Sequence, residues 1–433
     1  MKSVLSTAFV LILALLFLNF VSCSSGGGDG DVDGEGPPPS GTGADGVTTF
    51  WLNYGTGGGG GQSVQETTDH GFIVAGYQTP DFATVPDDWY VAKTDVGGNV
   101  QWQKTFGGSN RDVAQSVQQT TDGGYIVAGC FDCDTSQNSF SLLKLDSSGS
   151  KVWEKAIAGS SLGGAYAVRE SKSGATPEGY ILVGSDVSNR LALIKTDLSG
   201  NIIWQKSFTG HPGWEVGFSV QQIADGGYVI AGDYAGTEIE IRLIKTDASG
   251  TIVWDKHFGP GEAFSVKQTT DGGYVLAGRT TVRTFASPAT IIPGDAVVIK
   301  TDKDGNQLWR KTFGGVEDDE AHSVDLTLDG GYIIAGKTLS YSPGPVDYNL
   351  SWQWEDVFLI KLDANGNTVW VKVKGHRPNT SDGGTAVCAV SDGGYIVSGN
   401  SNAYNSGTIL LAKFDKNGDT VNLGEHDLSI TVN

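Results

Sequence analysis

The chain has 433 residues, of which 18% are charged, 63 are glycine and 11 are tryptophan. That profile suits many short, turn-linked strands and speaks against long amphipathic helices rich in Glu, Lys and Ala. A formal net charge of −20 argues against nucleic acid or an anionic membrane surface as partner of the folded part, because a polyanion is repelled.

In chain order the first element is a leader. Residues 1–22 place Lys2 ahead of the apolar run "VLSTAFVLILALLFL", the layout of an export signal peptide. The next residues, "FVSC", resemble a bacterial lipobox, with Phe20 where such motifs mostly carry leucine. Cleavage before Cys23 and attachment of diacylglycerol and a palmitate-type chain are therefore expected. Each buried CH₂ would contribute about 0.8 kcal/mol of membrane affinity. Ser24 after the cysteine favours the outer membrane of a two-membrane cell, so a lipid-anchored cell-envelope protein is expected, facing the periplasm or the exterior. Residues 23–46 read as a lipidated, flexible linker rich in Gly, Asp and Pro. Within it "DGDVDGEG" spaces Asp29, Asp31 and Asp33 like the start of a calcium loop, but Ser40 stands where the closing glutamate belongs. Ca²⁺ is thus a weak candidate there, and no other cofactor is expected.

Residues 47–433 are expected to form one domain built from a repeat. One element reads "TTDHGFIVAG", "TTDGGYIVAG", "ATPEGYILVG", "IADGGYVIAG", "TTDGGYVLAG", "TLDGGYIIAG" and "VSDGGYIVSG". A second, from "KTDVGGNVQW" to "KFDKNGDTVN", alternates strictly with it. The period of about 46 to 63 residues matches a propeller blade. Asp-Gly-Gly and Asp-x-x-Gly mark two tight turns per copy, because glycine accepts the positive φ they require. Four strands per copy follow, and a blade that cannot bury both faces alone must stack into a closed ring. The expected fold is an all-β, seven-bladed β-propeller of four-stranded blades, monomeric. Trp102, Trp153, Trp204, Trp254, Trp309 and Trp370, with Trp51, are expected to plug the wedges between blades.

The stretch "TTFWLNYG" at 48–55 is a tryptophan strand without its lead-in, while "KFDKNGDTVN" ends on Asn422 where tryptophan belongs. The two halves are complementary, so residues 48–54 are expected to complete the last blade by pairing with Thr408–Phe414. "WLNYG" is one residue shorter than "WQKTFG", which leaves the junction irregular. Lys93, Lys144 and their counterparts recur once per blade and read as structural. Asp95, Asp146 and their counterparts are expected to bond turn N–H groups.

The repeat "DGGYIVAG…KTDxxGNxxWxKTFGG" resembles a family of secreted and lipid-anchored bacterial and archaeal propellers of largely unknown function. The resemblance spans about residues 47–420. More distantly, Asp-x-x-Gly-x-x-x-Trp is similar to the tryptophan-docking motif of pyrroloquinoline-quinone-type dehydrogenases and to the propeller lipoprotein of the outer-membrane barrel-assembly machinery. Quinone dehydrogenases carry adjacent cysteines, and this chain has no Cys-Cys pair, so quinone chemistry is not expected.

Cys130 and Cys133 form a Cys-x-x-Cys without the histidine of haem attachment or the second pair of a zinc site, and are expected to form a loop disulfide. Cys388 reads as a packed thiol. None of the six histidines has metal-ligand spacing, and no nucleophile signature occurs, so no catalytic residues are assigned. The copies diverge in the loops after "YIVAG", and aromatic residues there suit a binding face: Trp89, Trp214, Tyr341, Tyr348, Trp352 and Trp354. Asp112, Glu215 and Asp319 recur before the first strand and could hold a cation at the channel mouth. The favoured reading is a non-enzymatic module binding protein or glycan partners. The alternatives are a polysaccharide hydrolase or lyase using an acid among Asp318, Asp319 and Glu320, and an envelope-assembly scaffold.

Overall fold

A computed structural model describes residues 47–420 apart from 56–57, 80–85, 134–138, 160–163, 187, 209–213, 236–237, 281, 285–289, 342–354, 376–380 and 403–406. It adds the short strands Gly41–Thr42 and Leu428–Ile430. Among the described residues there is no helix. Seven antiparallel sheets form seven blades. Blade 1 comprises Gly58–Glu66, Phe72–Thr79, Asp88–Thr94 and Val100–Phe106, in the order first to fourth strand. Blades 2 to 6 repeat this meander and begin at Val113, Ala165, Gly217, Glu262 and Asp319. First strands of consecutive blades touch all the way round, the seventh against the first, so they line a central channel. In blade 5 the loop between the second and third strands carries a hairpin, Val282–Thr284 with Thr290–Ile292.

Blade 7 takes Asp382–Ala389, Tyr395–Ser401 and Thr408–Phe414 from the end of the chain and Thr48–Tyr54 from the beginning. The ring therefore closes by joining distant segments, as the sequence implies. The register corrects one detail. In blades 1 to 6 the motif tryptophan pairs with the motif lysine, as in Trp102 with Lys93 and Trp370 with Lys361. In blade 7 Lys413 faces Phe50, and Trp51 faces Ala412. Phe50, not Trp51, occupies the plug position. The apparent shortfall disappears, since "FWLNYG" has the length of "WQKTFG". A slip of one residue exchanges the faces of a strand, so Trp51 turns to the other side and packs edge-on against Phe414.

Every seam repeats one contact. Trp102 of blade 1 meets Tyr125 of blade 2 edge to face at 5.6 Å, and Trp309 meets Tyr332 at 6.1 Å. At the closing seam Phe50 meets Phe72 at 6.1 Å in the same way. Beneath each ring lies the glycine of the next blade's Asp-x-x-Gly turn, at positive φ. A Cβ on Gly149 would stand 2.7 Å from Trp102 Cε3, and one on Gly98 would stand 2.5 Å from Leu52 Cδ1. Glycine is required there twice over, for its backbone conformation and for the flat seat it offers the ring.

Candidate functional site

The repeated polar residues hold the blades together. Lys93 pairs with Asp69 of the Asp-x-Gly turn at 2.9 Å, and Lys300 with Asp271 and Lys361 with Asp329 at the same distance. Each buried ammonium also donates to a carbonyl of its own strand, such as Thr94 O at 2.7 Å from Lys93. In blade 3, where the turn reads Pro-Glu-Gly, Lys195 donates to Ser171 Oγ and keeps a longer pairing of 3.8 Å with Glu178 of the turn. Asp95 accepts from the N–H of Gly97 and Asn99, both at 2.9 Å, and its counterparts do the same in the other blades. Burial alone would raise the turn carboxylates, but threonine hydroxyls and the paired lysines hold Asp69, Asp271 and Asp329 down at about 2. Their folded pKa lies below the unfolded one. The stability they contribute is complete above about pH 4 and is lost as pH falls toward 2. Acid titration followed by circular dichroism is expected to show a propeller that keeps its fold at pH 4 and weakens toward pH 2. Replacing Asp271 by asparagine should reduce that acid dependence.

Strand direction sets the two faces of the disc. First strands end in the Asp-Gly-Gly turn and third strands in the Asp-x-x-Gly turn, so both tight turns share one face. The loops after the second strand and the blade-to-blade connections share the other.

The predicted site residues are distributed unevenly over this loop face. Trp89 is not on it. It lies on the third strand of blade 1, fully buried, with Nε1 donating to Cys130 O at 2.8 Å and its ring stacked on Phe131 at 4.3 Å. The alternation of "DWYVAKT" along a strand buried on both faces carries it into the wall between blades 1 and 2. Tyr341 is half-buried, donating to Gly314 O at 2.5 Å, and Trp214 is half-buried too. Tyr348, Trp352 and Trp354 lie outside the described residues, as do Cys23, the leader and the linker acids. Cys130 and Cys133 are joined in a disulfide.

Asp112, Glu215 and Asp319 are buried at the starts of blades 2, 4 and 6. Asp112 accepts from the N–H of Gly108 at 2.9 Å and of Asp132 at 2.7 Å. Asp319 accepts from Gly315 N at 2.9 Å, Ser340 Oγ at 2.6 Å and the Thr338 hydroxyl. Glu215 pairs with Arg242 at 3.0 Å. Each ties down its own loop, and among the described residues no cluster of three or more carboxylate, histidine or cysteine ligands forms.

Symmetry is broken elsewhere. The residue after the second-strand glycine is Tyr77, Cys130 and Ser185 in blades 1 to 3 and Asn400 in blade 7, but Asp233, Arg279 and Lys337 in blades 4 to 6. Facing Arg279 and Lys337 across the strand pair are Glu262 and Glu320. Arg279 bonds Glu262 at 2.5 Å and reaches over the seam to Glu320. Glu320 also accepts from His322 Nε2 at 2.8 Å, while Lys337 pairs with Glu355 at 2.7 Å. Burial opposes ionisation of Glu320, but the charges of Arg279 and Lys337 outweigh it and hold its carboxyl well below the usual range. Asp233 behaves oppositely. Burial and the negative charges of Glu262 and Glu215 push it up to about 8. The site thus combines a fixed ion network with one carboxyl whose burial favours its neutral form. Sequence reading missed it by comparing loops. Aligning the copies on "AG" and reading the next residue exposes it.

The channel has its own asymmetry. Each first strand carries a register shift at one place, as between Ala263 and Ser265 or Gly217 and Ser219, and a bulge re-aims the extra residue. In blades 3 to 6 that residue is Tyr166, Phe218, Phe264 and His322, and in blades 1, 2 and 7 it is Gln62, Gln115 and Thr385. All seven are half-buried.

No protein-family model matches this chain, and no curated protein does. Solved structures do resemble it. A catalytically inactive virginiamycin B lyase of Staphylococcus aureus, solved with quinupristin, aligns over 84% of this chain and 98% of that one at 9% identity and a TM-score of 0.54. A protein of unknown function from Bacteroides caccae aligns over 66% and 90%, at 13% identity and a TM-score of 0.41. The quinohemoprotein alcohol dehydrogenase ADHIIG of Pseudomonas putida HK5 aligns over 77% and 66%, at 10% identity and a TM-score of 0.41. The likeness is one of fold. The neighbours are β-propellers of mixed function.

Proposed function

We propose that this chain is an exported, lipid-anchored propeller of the cell envelope that binds a protein or glycan partner on its loop face, without catalysing a reaction. The observation that carries this reading is where the symmetry breaks. The repeated lysines and aspartates are spent on the framework, and charged residues that depart from the repeat gather at the channel mouth of blades 4 to 6, in two of which, blades 5 and 6, the connection after the second strand is long in sequence. A rigid base under variable loops is the arrangement that recognition uses. The acids considered for sugar chemistry support binding rather than turnover. Asp318 accepts from Gly294 N at 2.8 Å, Asp319 is sealed among its donors, and Glu320 is held ionised by its cations. A general acid needs a raised carboxyl that the substrate can reach, and Asp319, though raised by burial, is enclosed. The "FVSC" sequence at Cys23 supports the anchor.

Full-length protein and its Trp352→Ala/Trp354→Ala variant, immobilised side by side, provide the test against envelope extract and a glycan array. Loss of a bound species from the variant, with unchanged thermal unfolding, is the expected result. Identical binding profiles would remove the loop face from consideration.

A further inference from the structure

We propose that the central channel binds a small organic anion, a carboxylate or sulfonate borne on a flat apolar body, with the body against the aromatic arc of blades 3 to 6 and the anionic group at Arg169. The site is distinct from the loop face above it and does not depend on that reading.

The arc is continuous. Tyr166 and Phe218 meet edge to face at 5.1 Å, Phe218 and Phe264 at 5.4 Å, and His322 stacks on Phe264 at 5.1 Å with 20° between planes. Four neighbouring blades thus present one half-buried apolar wall, and the facing blades present amides and a hydroxyl. A seven-fold framework has no need of such a division. The aromatic residues sit where the bulge re-aims the side chain, and their rings pack on one another from blade to blade.

Three residues further along the same strands, about 10 Å at the usual rise, lies a second ring of half-buried polar residues. It includes Arg169, Lys267, Asp325 and Cys388, with glutamines in the remaining blades. Two cations face one carboxylate, and that carboxylate is engaged. Asp325 pairs with Lys267 at 2.9 Å and accepts from Leu326 N and Ala389 N, both at 3.0 Å. Arg169 has no carboxylate within ion-pair distance among the described residues. Its bonds both leave from Nη1, to Ser116 Oγ at 3.2 Å and Val168 O at 2.7 Å. Asp325 and Cys388, the two groups whose ionised forms act on it, belong to blades 6 and 7, across the axis from blade 3, so the guanidinium is directed toward the channel. Burial lowers its pKa, and the negative charge of Asp325 offsets that only in part. The Cys388 thiol, pushed up to about 12 by burial and Asp325, stays neutral and does not supply a counter-charge.

A guanidinium fork whose Nε and Nη2 have no partner among the described residues matches a carboxylate or sulfonate, and a mostly apolar site with a few fixed polar groups is what a small ligand requires. The acidic protein surface disfavours a bare anion, so the apolar body has to supply much of the affinity.

The test uses the full chain in detergent, with 1-naphthoate as ligand and uncharged 1-naphthalenemethanol as its control, both followed by calorimetry. Saturable binding of 1-naphthoate, at least about tenfold tighter than the alcohol, is expected. Arg169→Gln should bring the acid down to the level of the alcohol, Arg169→Lys should retain part of the difference, and Phe264→Leu should weaken both ligands. Because Arg169→Gln could disturb folding, 4-benzoylbenzoate photolabelling of the unaltered protein gives a second readout, with label expected on the strands holding Tyr166, Phe218 and Phe264. The proposal is overturned by naphthoate affinity weaker than about 1 mM, by equal affinity for acid and alcohol, by a folded Arg169→Gln protein that binds as before, or by label confined to the outer loops. Loop-face partners should be retained by Arg169→Gln, which separates failure here from failure of the binding-module reading.

Discussion

Phe50→Ala is expected to destabilise the propeller by about 3–5 kcal/mol, the range for removing a large buried aromatic side chain. Phe50 is fully buried among Phe72, Val74, Tyr90, Ile409 and Leu411, residues drawn from blades 1 and 7. Its loss opens a cavity at the seam where the ring is closed by non-covalent pairing between distant parts of the chain. The adjacent contacts would suffer as well, including the hydrogen bond from the Tyr54 hydroxyl to Gly98 O at 2.5 Å. Urea unfolding of the variant and of Trp204→Ala gives the comparison. Trp204 is only half-buried and sits at an internal seam with covalent continuity on both sides. A cost for Phe50→Ala below about 1 kcal/mol would mean that the terminal strand does not hold the ring.

The second large effect is expected at Arg279. Arg279→Met leaves Glu262 and Glu320 buried without their shared cation and should cost about 3–5 kcal/mol at neutral pH. The sign with pH follows from Glu320. In the native protein its folded pKa is depressed, so its contribution is present above the unfolded value, about 4.3, and is lost below it. In the variant the largest attraction is gone while Lys337 and His322 remain beside Glu320, so its pKa moves up toward the unfolded value. The variant then loses less stability than the native protein as pH falls below about 4, and the deficit shrinks. Urea midpoints at about pH 7 and about pH 3 should therefore differ more between the two proteins at the higher pH. A difference independent of pH would show that the cost comes from lost packing rather than stranded charge. Further replacement of Glu262 and Glu320 by leucine should restore much of the stability, because the desolvated charges are then removed altogether.

Much of the framework is legible in the primary structure for a local reason. Turn chemistry acts over four or five residues, so Asp-Gly-Gly and Asp-x-x-Gly announce each hairpin wherever they stand, and seven copies repeat the signal. The pairing of Thr48–Tyr54 with Thr408–Phe414 is legible because an orphan half-motif and a defective one complement each other. Trp89 shows the limit of composition. A tryptophan close to a variable loop looks like a surface residue until the strand boundary is known, and the strand begins one residue earlier, at Asp88.

The sequence by itself determines the number of blades, the order of strands within each, and the segments that close the ring, since these follow from periodicity and from residues that act on their immediate neighbours. Tertiary structure alone decides the rest. Whether Phe50 or Trp51 plugs the last wedge depends on a pairing register between segments more than 350 residues apart, in which one step exchanges the two faces of the strand. The ion network at Arg279 and the surroundings of Arg169 depend on which side chains meet across seams and across the axis. Those partners are far apart in the chain, and their energies are set by burial and by the charges opposite them.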